Sequence, residues 1–127
     1  MPDKLLFEYA VVRVVPKVER EEFINAGIIL YCRSQRFLNC LYQVNAQKLA
    51  AICADLDCRE VEAHLQSFAA ICTGQKGDSP ISALDAASRF RWLTATRSTV
   101  VQTSKVHPGL CTDPQTTLQK LFHDLVL

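Results

Sequence analysis

Glycine is scarce in this chain, with four among 127 residues. That leaves no Gly-rich loop able to wrap a phosphate in backbone N–H groups. Long apolar runs are missing as well. No stretch approaches the roughly 20 consecutive apolar residues that a membrane span needs. Met1-Pro2-Asp3-Lys4 leads straight into strand-like sequence, with no apolar signal segment and no small-residue cleavage site. The expected location is therefore the cytoplasm. An excess of charge of either sign is also absent. The formal net charge is +1, which offers no overall attraction for nucleic acid or an anionic membrane.

Six cysteines are present, but no two are separated by two residues and no Cys/His cluster has structural zinc spacing. The expectation is six reduced thiols, mostly buried as small hydrophobes, with no metal and no cofactor. What remains is an ordinary globular composition, 49% hydrophobic and 21% charged. The length suits a single domain over residues 1–127.

The order of patterns predicts an α+β fold. Leu5 to Val15 is rich in Val, Phe and Tyr and ends at Pro16, so it reads as a strand. Phe7, Tyr9, Val11, Arg13 and Val15 share one of its faces. A second strand spans Phe23 to Cys32, where Gly27 marks a bulge or a close backbone approach. Arg33 to Arg36 turns the chain into a third strand, Phe37 to Gln43. Helices follow. Asn45 caps the first and Asp57 the second, with Gly74 closing the latter. Gln75 to Ser79 reads as an exposed loop, and Ser79-Pro80 as the start of a short third helix. Arg97 to Gln102 reads as a later strand, His107-Pro108-Gly109 as a turn, and Asp113-Pro114 as the start of a last helix. The sum is an antiparallel sheet of three to four strands, an N-terminal meander plus the later strand, packed against about four helices.

Two stretches carry a family resemblance. One is Tyr9-Ala-Val-Val-Arg13-Val-Val-Pro16 with Arg20-Glu-Glu22-Phe23-Ile-Asn25-Ala-Gly27-Ile-Ile-Leu30. The other runs from Phe90-Arg-Trp92-Leu through Arg97-Ser98-Thr99 to Val106-His107-Pro-Gly109-Leu-Cys111-Thr-Asp113-Pro114. Together they resemble the bacterial domain of unknown function 3037 family over nearly the whole chain. The resemblance implies a small bacterial protein and supplies no activity.

Two constellations could carry function. Arg13 is a lone cation among apolar neighbours, and a buried guanidinium requires a partner. Glu22, or Glu21 beside it, is the expected one, either as a clamp on strand register or as part of a cleft floor gripping an anion. Asn25 and Gly27 suit either reading. The second constellation is the acid-free run between Asp85 and Asp113, with Arg89, Arg91, Arg97, Lys105 and His107. There Arg97, Ser98, His107 and Gly109 are expected to line a shallow anion site, or else to form an ordinary solvated edge. Trp92 could stack on a base or pack as core. A Ser/His/Asp triad from Ser98 or Ser104, His107 and Asp113 lacks a nucleophile-elbow sequence, and Asp113 is better explained as a helix cap.

The expected function is a non-catalytic binding or accessory module for a protein partner. The competing reading is a nucleotide- or nucleic-acid-processing enzyme with an anion pocket around Arg13, Glu22, Arg97 and His107. Convergence of those four in one pocket favours the second reading, and dispersal favours the first.

Overall fold

The computed structural model describes residues 4–74, 80–95, 97 and 99–127. The expected loop at 75–79, the Ser79 cap and the candidate Ser98 lie outside the described residues.

Five antiparallel strands form the sheet: β1 (Leu5–Val14), β2 (Ile24–Cys32), β3 (Phe37–Tyr42), β4 (Val101–Thr103) and β5 (His107–Cys111). Among the described residues, four helices accompany it: α1 (Ala46–Ile52), α2 (Cys58–Thr73), α3 (Ala86–Leu93) and α4 (Pro114–Leu125). The α+β expectation stands. β1 is central, with β2 and then β3 on one side and both β4 and β5 on the other. β4 pairs with Val12–Val14 and β5 with Leu5–Tyr9, so the two act as one strand interrupted at 104–106. At the interruption, the Val11 N–H donates to the buried Ser104 hydroxyl at 2.9 Å, where a regular ladder would supply a carbonyl.

The two-residue period splits β1 between two cores. Ala10, Val12 and Val14 pack with Leu49 of α1, Val61, Leu65, Phe68 and Cys72 of α2, and Phe90 and Leu93 of α3. Phe7 and Val11 pack with Ile28, Leu30 and Cys32 of β2, and with Leu118 of α4. The sheet thus lies between three helices and one. Gly27 belongs to the β1–β2 bulge, where Val12 pairs with Gly27 but Arg13 with Asn25. A Cβ there would lie 2.5 Å from the Leu41 carbonyl oxygen, so the close approach is real.

Three expected elements need correction. His107-Pro108-Gly109 is strand, not turn: Tyr9, Glu8 and Phe7 face these residues in register. Pro108 is tolerated because β5 is an edge strand, and Gly109 leaves room for the Phe7 ring, which a Cβ would meet at 2.6 Å. The later strand covers Val101–Thr103, not Arg97 to Gln102, because its partner β1 runs out as the chain reaches Pro16. The third helix begins at Ala86, behind Asp85, whose carboxylate accepts from the Ser88 N–H at 2.8 Å. Pro80–Ala83 is only a 3-10 turn. No described helix is long and apolar enough to cross a membrane.

Candidate functional site

Arg13 sits in β1 opposite Asn25 on β2 and Gln102 on β4. Its guanidinium lies 4.0 Å from the centre of the Phe23 ring. Neither Glu21 nor Glu22 pairs with it, so the expected clamp is absent: Glu22 instead holds Arg20, two residues away on the exposed turn. That pairing holds the Glu22 carboxyl below its usual range, with the Arg20 hydrogen bond as the main cause. Glu21 is in the left-handed backbone region at φ 58°, where it closes the 3-10 turn. The local hydrogen bond wins because Arg20 and Glu22 are neighbours, whereas Arg13 has an aromatic face to rest on. The Arg13 Nε and Asn25 Oδ1 atoms are buried without hydrogen-bond partners, while Asn25 Nδ2 donates to the Leu125 carbonyl at 3.0 Å.

Arg97 lies elsewhere. Its guanidinium stacks 4.4 Å from the centre of the Trp92 ring and donates to the Trp92 carbonyl. It lines a hollow of about 210 Å³ between α2, α3 and β4, against Phe68 and Val101, residues of the three-helix side. His107 and Gly109 are on β5, where the His107 ring centre is 5.4 Å from that of Tyr9. The structure therefore brings Arg13 next to Asn25 and His107 near Gly109. Arg13, Glu22, Arg97 and His107 line no common cavity among those found. The triad candidates are occupied too: Ser104 is buried with its hydroxyl donating to the Lys105 carbonyl, and Asp113 accepts from the Thr116 hydroxyl at the head of α4.

A cavity of about 700 Å³ opens on the three-helix side, between the β2–β3 hairpin and α3. Leu6 and Glu8 of β1 and Tyr31 of β2 contribute its floor, Arg33 and Arg36 of the β2–β3 hairpin one wall, and Asp85, Ala86, Ala87 and Arg91 of α3 the other. An adjoining hollow of about 510 Å³ shares Leu6 and Arg33 and adds Lys4. Across the floor, Arg91 Nη2 donates to both Glu8 carboxylate oxygens at 3.1 and 3.0 Å, tying α3 to β1. Asp85 is engaged with Ser88, whose hydroxyl and N–H hold the Asp85 carboxyl below the usual range. Among the described residues, Arg33 and Arg36 have no ion-pair partner. Arg36 stands at φ 50° and ψ 38°, left-handed backbone that an arginine rarely adopts.

Beside this cavity the floor continues onto bare apolar surface. Leu6 and Leu110 are directly opposite across β1 and β5, hence on one face, and remain 63% and 62% exposed. Sequence reasoning missed this site. Arg33 and Arg36 read as turn residues, and Asp85 only as the edge of an acid-free run. The one signal available was the pairing of two arginines three apart in a hairpin where glycine or asparagine would close the loop more easily.

No three His, Cys, Asp or Glu side chains cluster to hold a metal ion among the described residues. The six cysteines are free thiols, four of them buried. Burial pushes the Cys40 thiol up to about 12 and raises that of Cys72 as well, so neither is poised as a nucleophile.

No curated protein and no solved structure gave a significant match to the chain. One family model does match, that described as a protein of unknown function, DUF3037, and it aligns with residues 9–126. That span takes in every strand but the first residues of β1, together with all four helices, so the chain belongs to the DUF3037 family.

Proposed function

We propose that this protein is a non-catalytic binding module that docks a segment of a protein partner on the Leu6–Leu110 face of its sheet. The observation that carries this reading is the Leu6–Leu110 pair. Two leucines side by side on a sheet face, each more than three-fifths exposed, lie next to a groove whose free charges are positive. Apolar surface of this kind, rimmed by polar groups, is typical of a surface that associates. The dispersal of Arg13, Glu22, Arg97 and His107 over separate parts of the molecule supports a module over an enzyme. The same proposal takes the chain as one folding unit in the bacterial cytoplasm, a compartment that suits its free thiols.

The test is affinity capture from the native host with three baits: wild type, Leu110→Ser, and Gln119→Ala on the exposed side of α4. A partner held by wild type and Gln119→Ala, lost with Leu110→Ser and weakened by salt supports the docking face. Equal capture by all three, or capture by none, contradicts it.

A further inference from the structure

We infer that the Arg33–Arg36 hairpin is a carboxylate clamp that grips an acidic side chain of the segment docked on Leu6 and Leu110. The inference rests on the docking reading above and adds the chemistry that selects the partner. The charges in the groove are unevenly spent. Glu8 is held by Arg91 and Asp85 by the first turn of α3, so both carboxylates lining the groove already have partners. Arg33 and Arg36 have none among the described residues, and Lys4 adds a third cation in the adjoining hollow. The surplus is positive, and an anion is the complement.

The backbone of Arg36 fixes where its side chain leaves the hairpin. Its left-handed conformation closes a four-residue loop between Cys32 and Phe37, which pair with each other across β2 and β3. Glycine or asparagine adopts that conformation at least cost, and arginine is strained there. Glu21 takes the same conformation at the end of the first 3-10 turn, so the backbone marks the turn type; what sets Arg36 apart is its place on the cavity wall without an ion-pair partner among the described residues.

A peptide carboxylate fits better than a phosphate-bearing small molecule. The N-terminus of α3, the usual phosphate seat in such a groove, is already closed by the Asp85 side chain. The floor beside the arginines is leucine, which a free phosphate would leave uncovered and an apolar residue flanking an acidic one would bury. The guanidinium fork matches a carboxylate with two parallel hydrogen bonds.

The decisive experiment selects a displayed random-peptide library on the folded wild-type protein. The enriched peptides are then measured against Arg36→Gly, Arg33→Gln and Leu110→Ser, with inorganic phosphate in a parallel NMR titration. The expected peptides carry Asp or Glu within a few residues of a Leu, Ile or Phe, and bind at least tenfold more weakly to Arg36→Gly. That variant should melt no lower than wild type, since glycine relieves the strain, so lost binding cannot be lost folding. Enriched peptides without acidic residues, or undiminished binding by Arg36→Gly, overturn the clamp. If Leu110→Ser abolishes that undiminished binding, the docking face survives without the clamp; if it does not, both readings fall. Phosphate shifts at Arg33 and Arg36 with no peptide enriched would reassign the groove to a small anion and end the inference.

Discussion

Arg13 occupies a strand position where sequence logic demands a carboxylate, and an aromatic ring stands there instead. Phe23, 46% exposed at the entry to β2, gives the guanidinium its resting face. Removing one member of a buried ion pair costs about 3–5 kcal/mol, whereas an arginine on a partly exposed ring is worth about 1 kcal/mol. Arg13→Ala should therefore lower stability by about 1 kcal/mol on denaturant melting, and Glu22→Gln should leave the effect of Arg13→Ala unchanged. The cysteines make a second residue-scale case. The folded Cys40 thiol titrates near 12 against a reference of 9.0, because burial disfavours the thiolate. A pKa raised by folding contributes stability that is fully present below 9.0 and is lost as pH rises through about 12. At pH 8 an alkylating reagent should label the half-buried Cys53 and Cys58 first, with Cys40 and Cys72 modified only on unfolding, as mass spectrometry would show. Early modification of Cys40 would contradict its placement. The identity of these residues was plain in the sequence; which neighbour each one met was not, because Arg20 and Phe23 are as near in the chain as Glu22.

At the scale of elements, the sequence is legible wherever the signal is local. Asn45 caps α1 by accepting from the Lys48 N–H, Asp57 caps α2 by accepting from the Arg59 N–H, and Gly74 ends α2 at φ 71°. β5 was illegible because its character comes from its partner. Pro-Gly reads as a turn until β1 is laid beside it. α3 was misplaced because Pro80 and Asp85 both make plausible starts, and only packing of Phe90 and Leu93 into the core decides between them. The glycines in the two affected strands differ in what surrounds them. A Cβ on Gly27 meets a backbone carbonyl fixed by the sheet, while one on Gly109 meets the far end of the Phe7 ring. Gly27→Ala should cost about 3 kcal/mol and Gly109→Ala about 1 kcal/mol, within the range for overpacking. Equal losses in a denaturant series would mean that the Phe7 ring is as immovable as the β3 backbone.

Over the whole molecule, the helices cover the sheet unevenly. α1, α2 and α3 pack over Ala10, Val12 and Val14, while Leu6 and Leu110 at the opposite end of the same face stay largely exposed. The edge strand there carries Pro108, which removes one backbone donor and blunts indiscriminate strand pairing. A surface protected against edge pairing but left apolar on its face, with two arginines alongside that have no ion-pair partner among the described residues, is suited to a side-chain-selective partner. That geometry arises from contacts between residues about a hundred positions apart, such as Leu6 with Leu110, which no local pattern reports. The claim can be tested directly by placing a photo-crosslinking amino acid at Leu110, or at Gln119 on α4, and irradiating the protein in its host. A discrete protein adduct should form from position 110 and none from position 119, and the adduct should be lost when Arg36→Gly is added. Adducts from position 119 alone, or no adduct from position 110, would contradict it.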